Sequence, residues 1–192
     1  MEKNLLTLAK EAQPSFGSLI VAAKINGEIR DIQTSCTDAD EISFVELNSA
    51  LGWSIYRRSV LFLLIAAVHK LDNNAEVIAK FTVNKGLYCE IKIPARELDS
   101  SFIKEIEDRM GDMIAANIPI EKRSIPRQEA INLFQKLGRE GKVNLLSALS
   151  NPTISIYTCD GYTDYLYGAM LPETKDLGLF ELDYGRDGVL IR

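Results

Sequence analysis

Two adjacent arginines, Arg57 and Arg58, head an otherwise apolar segment, Ile55 to Leu71, that reads as a helix. Positive charge near a helix N-terminus opposes the helix dipole, so the pair needs an anionic partner. Either an internal Asp or Glu or a bound phosphate meets that need. Four tyrosines, Tyr157, Tyr162, Tyr165 and Tyr167, offer a second chemistry. Aromatic rings stack nucleobases, but they also pack sheets. Lys122, Arg123, Arg127 and Arg139 suggest a basic edge for RNA. The acids Glu105, Glu107, Asp108 and Asp112 dilute that field towards an ordinary solvated surface.

Other chemistries lack their residues. Cys36, Cys89 and Cys159 stand far apart, no Cys-x2-Cys pair occurs, and His69 is the single histidine. A structural zinc site normally draws on closely spaced ligands. A cysteine nucleophile would have no nearby histidine in sequence to activate it. His69 sits near the expected helix C-terminus, where it suits the last carbonyls, and is given no catalytic role. No Gly-x4-Gly-Lys-Ser/Thr string is present to cradle phosphates.

Composition sets the frame for these residues. The chain has 192 residues, 46% of them hydrophobic, and a formal net charge of -5. That supports a real core in one ordinary domain or two small ones. The sequence pI near 5.1 disfavours a strongly basic nucleic-acid binder, though not a local basic patch. Sparse, odd-numbered cysteines suit reduced thiols, and the N-terminus has no signal-peptide pattern, so a cytoplasmic protein is expected. The most apolar run, Val60 to Val68, is shorter than the roughly 20 residues that span a bilayer.

The elements that must position these residues follow from periodicity. Leu5, Leu6, Leu8, Ala9 and Ala12 form a helical stripe ending near Pro14. Leu19 to Lys24 and Glu28 to Ile32 read as strands joined by Asn26-Gly27, a type I′ hairpin signal. Glu41 to Leu47 alternates as a further strand. A short helix, a hairpin and a strand suit a small β-grasp sheet. Ser54 is the expected cap of the helix to Leu71, which is apolar on nearly every face and therefore buried. A hairpin is expected around Lys85-Gly86. Asp99 caps a helix to about Ala116. Ile118 to Ile125 is extended, Pro126 opens a helix stopped by Gly138, and Lys142 to Leu149 forms another. Thr153 to Cys159, Tyr162 to Tyr167, Leu177 to Leu182 and Val189 to Arg192 complete a β-rich end. The fold class is α+β, with residues 1–51 as one unit and 52–192 as a second.

Two stretches carry a family resemblance. Ile20 to Asp31 resembles the TGS domain, the ubiquitin-like module at the front of threonyl-tRNA synthetases, although the usual opening strand is expected to be short or absent. Tyr162-Thr163-Asp164-Tyr165-Leu166-Tyr167-Gly168-Ala169-Met170-Leu171-Pro172 resembles the zinc-binding strand of the editing domain of threonyl- and alanyl-tRNA synthetases. In that family the strand carries a Cys-x3-His pair and a helix supplies His-x3-His. Here the strand positions hold Leu166 and Met170, and the helix positions hold Arg58 and Phe62. The resemblance thus implies an editing-type fold without its metal. It also implies that Tyr88, Lys142 and Asp164 survive from the pocket lining. Together with Arg58 they make the candidate binding set for a small polar or nucleotide-like ligand. The alternative is that all four merely pack, pair or face solvent.

The closer similarity is to the N-terminal half of bacterial uridine kinase-like nucleoside kinases, in Ile55 to Leu64, Lys85 to Ile91 and Asp160 to Gly168. That similarity implies a non-catalytic, ligand-binding or regulatory region attached to a C-terminal P-loop kinase domain. ATP and magnesium would belong to that domain, and no cofactor is expected in this chain. The competing reading is a tRNA-binding module or a metal-independent editing hydrolase. The acidic pI places tRNA below a small ligand as the expected partner.

Overall fold

The computed structural model describes residues 2–84, 86–94 and 97–192. Lys85, in the expected hairpin turn, lies outside the described residues. The molecule is α+β, with short antiparallel sheets arranged around one long helix.

The N-terminal part begins with strand β1 (Glu2–Asn4) and helix α1 (Leu5–Ala12). Asn4 caps α1 by accepting from the Leu6 and Thr7 amides at 2.9 and 3.3 Å, satisfying donors that the first turn leaves free. Strand β1 is short, as expected, and pairs with β4 (Ser35–Thr37), a strand the sequence pattern did not signal. Strands β2 (Ile20–Ile25), β3 (Glu28–Arg30) and β5 (Ile42–Glu46) form an antiparallel sheet in the order β3-β2-β5. Asn26 and Gly27 take φ of 52° and 83°, the left-handed pair that a type I′ turn requires.

Strand β2 does not alternate: Ile20, Val21, Ala22 and Ala23 are all buried. A bulge between Ile20 and Ala22 breaks the strand's period, and both of its faces are covered. Ile20 and Ala23 join clusters with Ala9 and Leu5 of α1, whereas Val21 and Ala22 enter the main core.

Helix α2 (Ala50–Leu71) is the axis of that core. It begins a turn before the expected Ser54 cap. Ser49 is the cap, its hydroxyl accepting from the Gly52 amide at 3.0 Å. Gly52 lies within the helix, at a place where a Cβ would stand 2.0 Å from the Glu46 carbonyl oxygen. Arg57 and Arg58 consequently sit two turns inside the helix, clear of the terminal dipole that seemed to demand their partner. With 22 residues, α2 is long and apolar enough to cross a membrane by composition. Its surroundings are protein: Ile55, Val60, Phe62, Leu63, Leu64, Ala67 and Val68 are buried, as is Ser59, whose hydroxyl bonds the Ile55 carbonyl.

Two further sheets flank α2. One, in the order β11-β12-β7-β6, joins β6 (Glu76–Val83), β7 (Gly86–Lys92), β11 (Leu182–Gly185) and β12 (Gly188–Ile191). The other, β10-β9-β8, joins β8 (Glu121–Pro126), β9 (Thr153–Cys159) and β10 (Tyr162–Asp164). Helix α3 (Ser100–Ala115), capped by Asp99, supplies Phe102, Ile106 and Met110 to the core. Helices α4 (Arg127–Lys136) and α5 (Glu140–Ala148) cover the second sheet through Ala130, Phe134 and Leu146. The expected strand from Leu177 to Leu182 is not formed. A 3-10 turn at Thr174–Asp176 precedes it, tied down by Thr174, whose hydroxyl donates to the Met113 carbonyl. Strand β11 starts only at Leu182.

Candidate functional site

At the position where the resemblance would place a metal, the structure is filled with packed side chains. Phe62 of α2 and Met170 are fully buried, and Leu166 packs half-buried against the same core. Arg58 lies beside them and donates from Nη1 to the Ala169 carbonyl at 2.7 Å. Gly168 closes over the guanidinium. Its φ is 101°, and a Cβ there would lie 2.9 Å from Arg58 Cζ. Burial works against the Arg58 charge, while the neighbouring Tyr157 and Asp31 favour it.

Asp31 is the residue that sequence reasoning missed. It follows β3, is 2% exposed, and inserts its carboxylate between β8, β9 and the 168–170 segment. Oδ1 accepts from the Met170 amide at 2.8 Å, and Oδ2 is ion-paired with Lys122 Nζ. Tyr157 Oη lies 3.1 Å from Asp31 Oδ1 and 2.8 Å from the Gly168 carbonyl, so its single proton serves one acceptor at a time. Burial, reinforced by the Asp31 charge, raises the Tyr157 pKa far above the usual phenol value. The anion beside Arg58 is thus an internal one: Asp31 supports its charge at a distance, while its hydrogen bond goes to the Ala169 carbonyl.

Asp164, at the end of β10, and Lys142, in α5, do meet. Lys142 Nζ is 2.9 Å from Asp164 Oδ1 and also donates to the Tyr165 carbonyl at 2.9 Å. The other contacts of Asp164 are the Tyr165 amide at 2.7 Å and the Tyr162 hydroxyl at 3.1 Å. With both oxygens engaged and 3% of the residue exposed, this carboxylate is satisfied internally. Tyr88 makes its contacts elsewhere, on the outer face of the β11-β12-β7-β6 sheet. Its ring stacks on Phe81 at 5.1 Å between centroids, while its neighbour Cys89 enters the core. The structure therefore brings Lys142 and Asp164 together, gives Arg58 its own partners and leaves Tyr88 on a different sheet.

The other candidates are also used internally. Lys122 pairs with Asp31, Arg127 bonds the Leu149 carbonyl, and Arg139 donates to the Thr163 carbonyl at 2.7 Å. Arg123 is left exposed. The tyrosines do not form a platform. Tyr157 and Tyr162 are buried, Tyr165 packs against α4 and α5, and Tyr167 is 85% exposed beyond the end of β10. His69 rests against Tyr162 at 4.8 Å between ring centroids.

A well-formed cleft lies somewhere else. It measures about 560 Å³ and opens between α2, the β6–β7 hairpin and the segment around Phe180. Trp53, Tyr56 and Arg57 line it, and none of Arg58, Tyr88, Lys142 or Asp164 does.

No protein-family model matches the chain. Curated relatives are threonine–tRNA ligases. That of Syntrophotalea carbinolica is 32% identical over 163 residues, covering 84% of this chain and 26% of the relative. That of Acidithiobacillus ferrooxidans is 29% identical over 178 residues, covering 92% and 28%. That of Francisella tularensis is 28% identical over 179 residues, covering 93% and 28%. The chain thus spans about a quarter of the length of the relatives it matches. These relatives support the synthetase side of the resemblance and give the kinase side no support.

Proposed function

We propose that this chain is a tRNA-binding module of the threonine–tRNA ligase type that has no ester-hydrolysing activity of its own. The observation that carries the reading is similarity to threonine–tRNA ligases over 84 to 93% of the chain. It reverses the order suggested by the acidic pI, since charge balance speaks only to long-range attraction and not to a shaped RNA contact.

The non-catalytic half rests on the residues at the metal position. Arg58, Phe62 and Leu166 offer no metal-donor atom, and Met170 offers only a buried thioether. Among the described residues no cluster of three His, Cys, Asp or Glu side chains forms. The Lys142–Asp164 pair is the acid–base couple of the expected pocket, and its bonds are to each other and to Tyr162 and Tyr165. A general base must reach the proton it removes, and both oxygens of Asp164 are already engaged by donors of the chain.

Fluorescence anisotropy with labelled threonine-acceptor tRNA and an unrelated tRNA tests the binding half. Saturable, salt-sensitive binding is expected, and Arg123→Glu should weaken it. Mischarged threonine-acceptor tRNA should lose no ester above the buffer rate, and elemental analysis should find no stoichiometric zinc. Absence of tRNA binding at low salt would remove the reading. Ester turnover would replace it with the editing hydrolase.

A further inference from the structure

The cleft beside Trp53 has the makings of a ligand site, and it is separate from Arg58, Tyr88, Lys142 and Asp164. Its volume of about 560 Å³ falls within the roughly 300 to 1,000 Å³ of small-molecule sites. One wall is aromatic and stiff. Trp53 is 51% exposed, and its indole leans on the Tyr56 ring at 5.3 Å. Tyr56 is itself pinned, its hydroxyl accepting from the Leu179 amide at 2.7 Å. Phe180 and Ile191 continue the apolar lining.

The charged lining has one sign. Arg57 and Arg192 both border the cleft, and among the described residues no Asp or Glu lines it. Two acids stand close behind. Asp183 is ion-paired with Arg192 at the exposed surface, and Asp176 is near enough to Tyr56 to help raise its phenol pKa, mainly a burial effect. On a chain of net charge -5, a cleft bordered by guanidinium groups and lined by no carboxylate selects anions locally. Guanidinium forks match phosphate and carboxylate oxygens, and an exposed indole offers a ring its stacking face.

We propose that this cleft binds a planar aromatic anion of about mononucleotide size, its ring against Trp53 and its anionic group at Arg57 and Arg192. The proposal does not rest on tRNA binding, and neither reading falls with the other.

Trp53 is the only tryptophan of the chain, so its emission reports on this cleft alone. The whole chain should be titrated with adenosine monophosphate and with hippurate, as an aromatic phosphate and an aromatic carboxylate. Adenosine and inorganic phosphate separate the ring from the charge. Saturable quenching by at least one aromatic anion is expected, with at least tenfold weaker response to adenosine and to phosphate. Quenching by the nucleotide only names a phosphate ligand, and by hippurate only a carboxylate. The Arg57→Gln/Arg192→Gln double variant should bind at least tenfold more weakly. Arg192→Gln alone, at an exposed side chain, gives the same test with little risk to folding. Calorimetry on Trp53→Phe should show retained but weaker binding. Equal binding of adenosine and its monophosphate, undiminished binding in the arginine variants, or no saturable response to either anion would overturn the proposal.

Discussion

Asp31 concentrates more structural consequence than any candidate read from the sequence. Removing its carboxylate leaves Lys122 facing a largely buried space without its counter-ion and strips an acceptor from the Met170 amide. Breaking such a pair costs about 3 to 5 kcal/mol. Asp31→Ala should lower stability to urea by about 3 kcal/mol, and adding Lys122→Met should recover part of the loss. The cysteines make a second residue-scale prediction. Burial pushes the Cys89 and Cys159 thiols up to about 12, with the Asp160 charge assisting at Cys159. A thiol reagent at pH 8 should leave both unlabelled in the native chain over a time that labels them fully in urea. The arginine's need for an anion was legible from its type. The role of Asp31 was not, because it precedes its ion-pair partner Lys122 by 91 positions and no local pattern links the two. The replaced metal ligands were legible only against a family pattern, since nothing in Phe62 or Met170 alone distinguishes a former ligand from an ordinary core residue.

At the scale of elements, the glycines explain both what the sequence revealed and what it hid. Asn26-Gly27 announced its hairpin because the turn needs positive φ. The unit boundary expected at Gly52 falls inside α2, where only a missing Cβ lets the helix reach Glu46. Gly188 in β12 is a comparable case, with a Cβ placed 1.9 Å from the Cys89 carbonyl oxygen on the neighbouring strand. Gly188→Ala should therefore destabilise, because the β7 backbone at Cys89 and Glu90 must move away. Gly141→Ala in α5 meets no atom within 4 Å and should stabilise by about 0.5 to 1 kcal/mol. Comparing the two urea midpoints checks the geometry, and a drop for Gly141→Ala would count against it. Strand β4 and the irregular stretch before β11 escaped the sequence for a different reason. Three-residue pairings carry too few alternations to register, and a run such as Leu177 to Leu182 is apolar without being a strand.

For the molecule as a whole, the core ignores the expected junction near residue 51. Val21, Ala22 and Val45 pack in one cluster with Ile55, Val60 and Phe62. A single urea transition is expected, with tryptophan emission and far-ultraviolet circular dichroism coinciding. Two separated transitions would show that the shared cluster contributes little. The pH dependence should carry a signature of His69. Burial, then the Arg139 charge, holds its pKa below the ordinary value, so the folded chain prefers the neutral ring. The associated stability is present above a pH of about 6.5 and is lost as the pH falls towards the folded pKa. The urea midpoint should fall from pH 7.5 to pH 5, and less so in His69→Gln. The Asp31 insertion also bears on how this chain can be recombined with others. A chimera carrying a foreign N-terminal portion inherits a keyhole formed by Lys122, Tyr157 and the Met170 amide. Donor modules without an acid after the third strand should give poorly soluble hybrids. Those with one should graft cleanly, making a single side chain the compatibility test for shuffling.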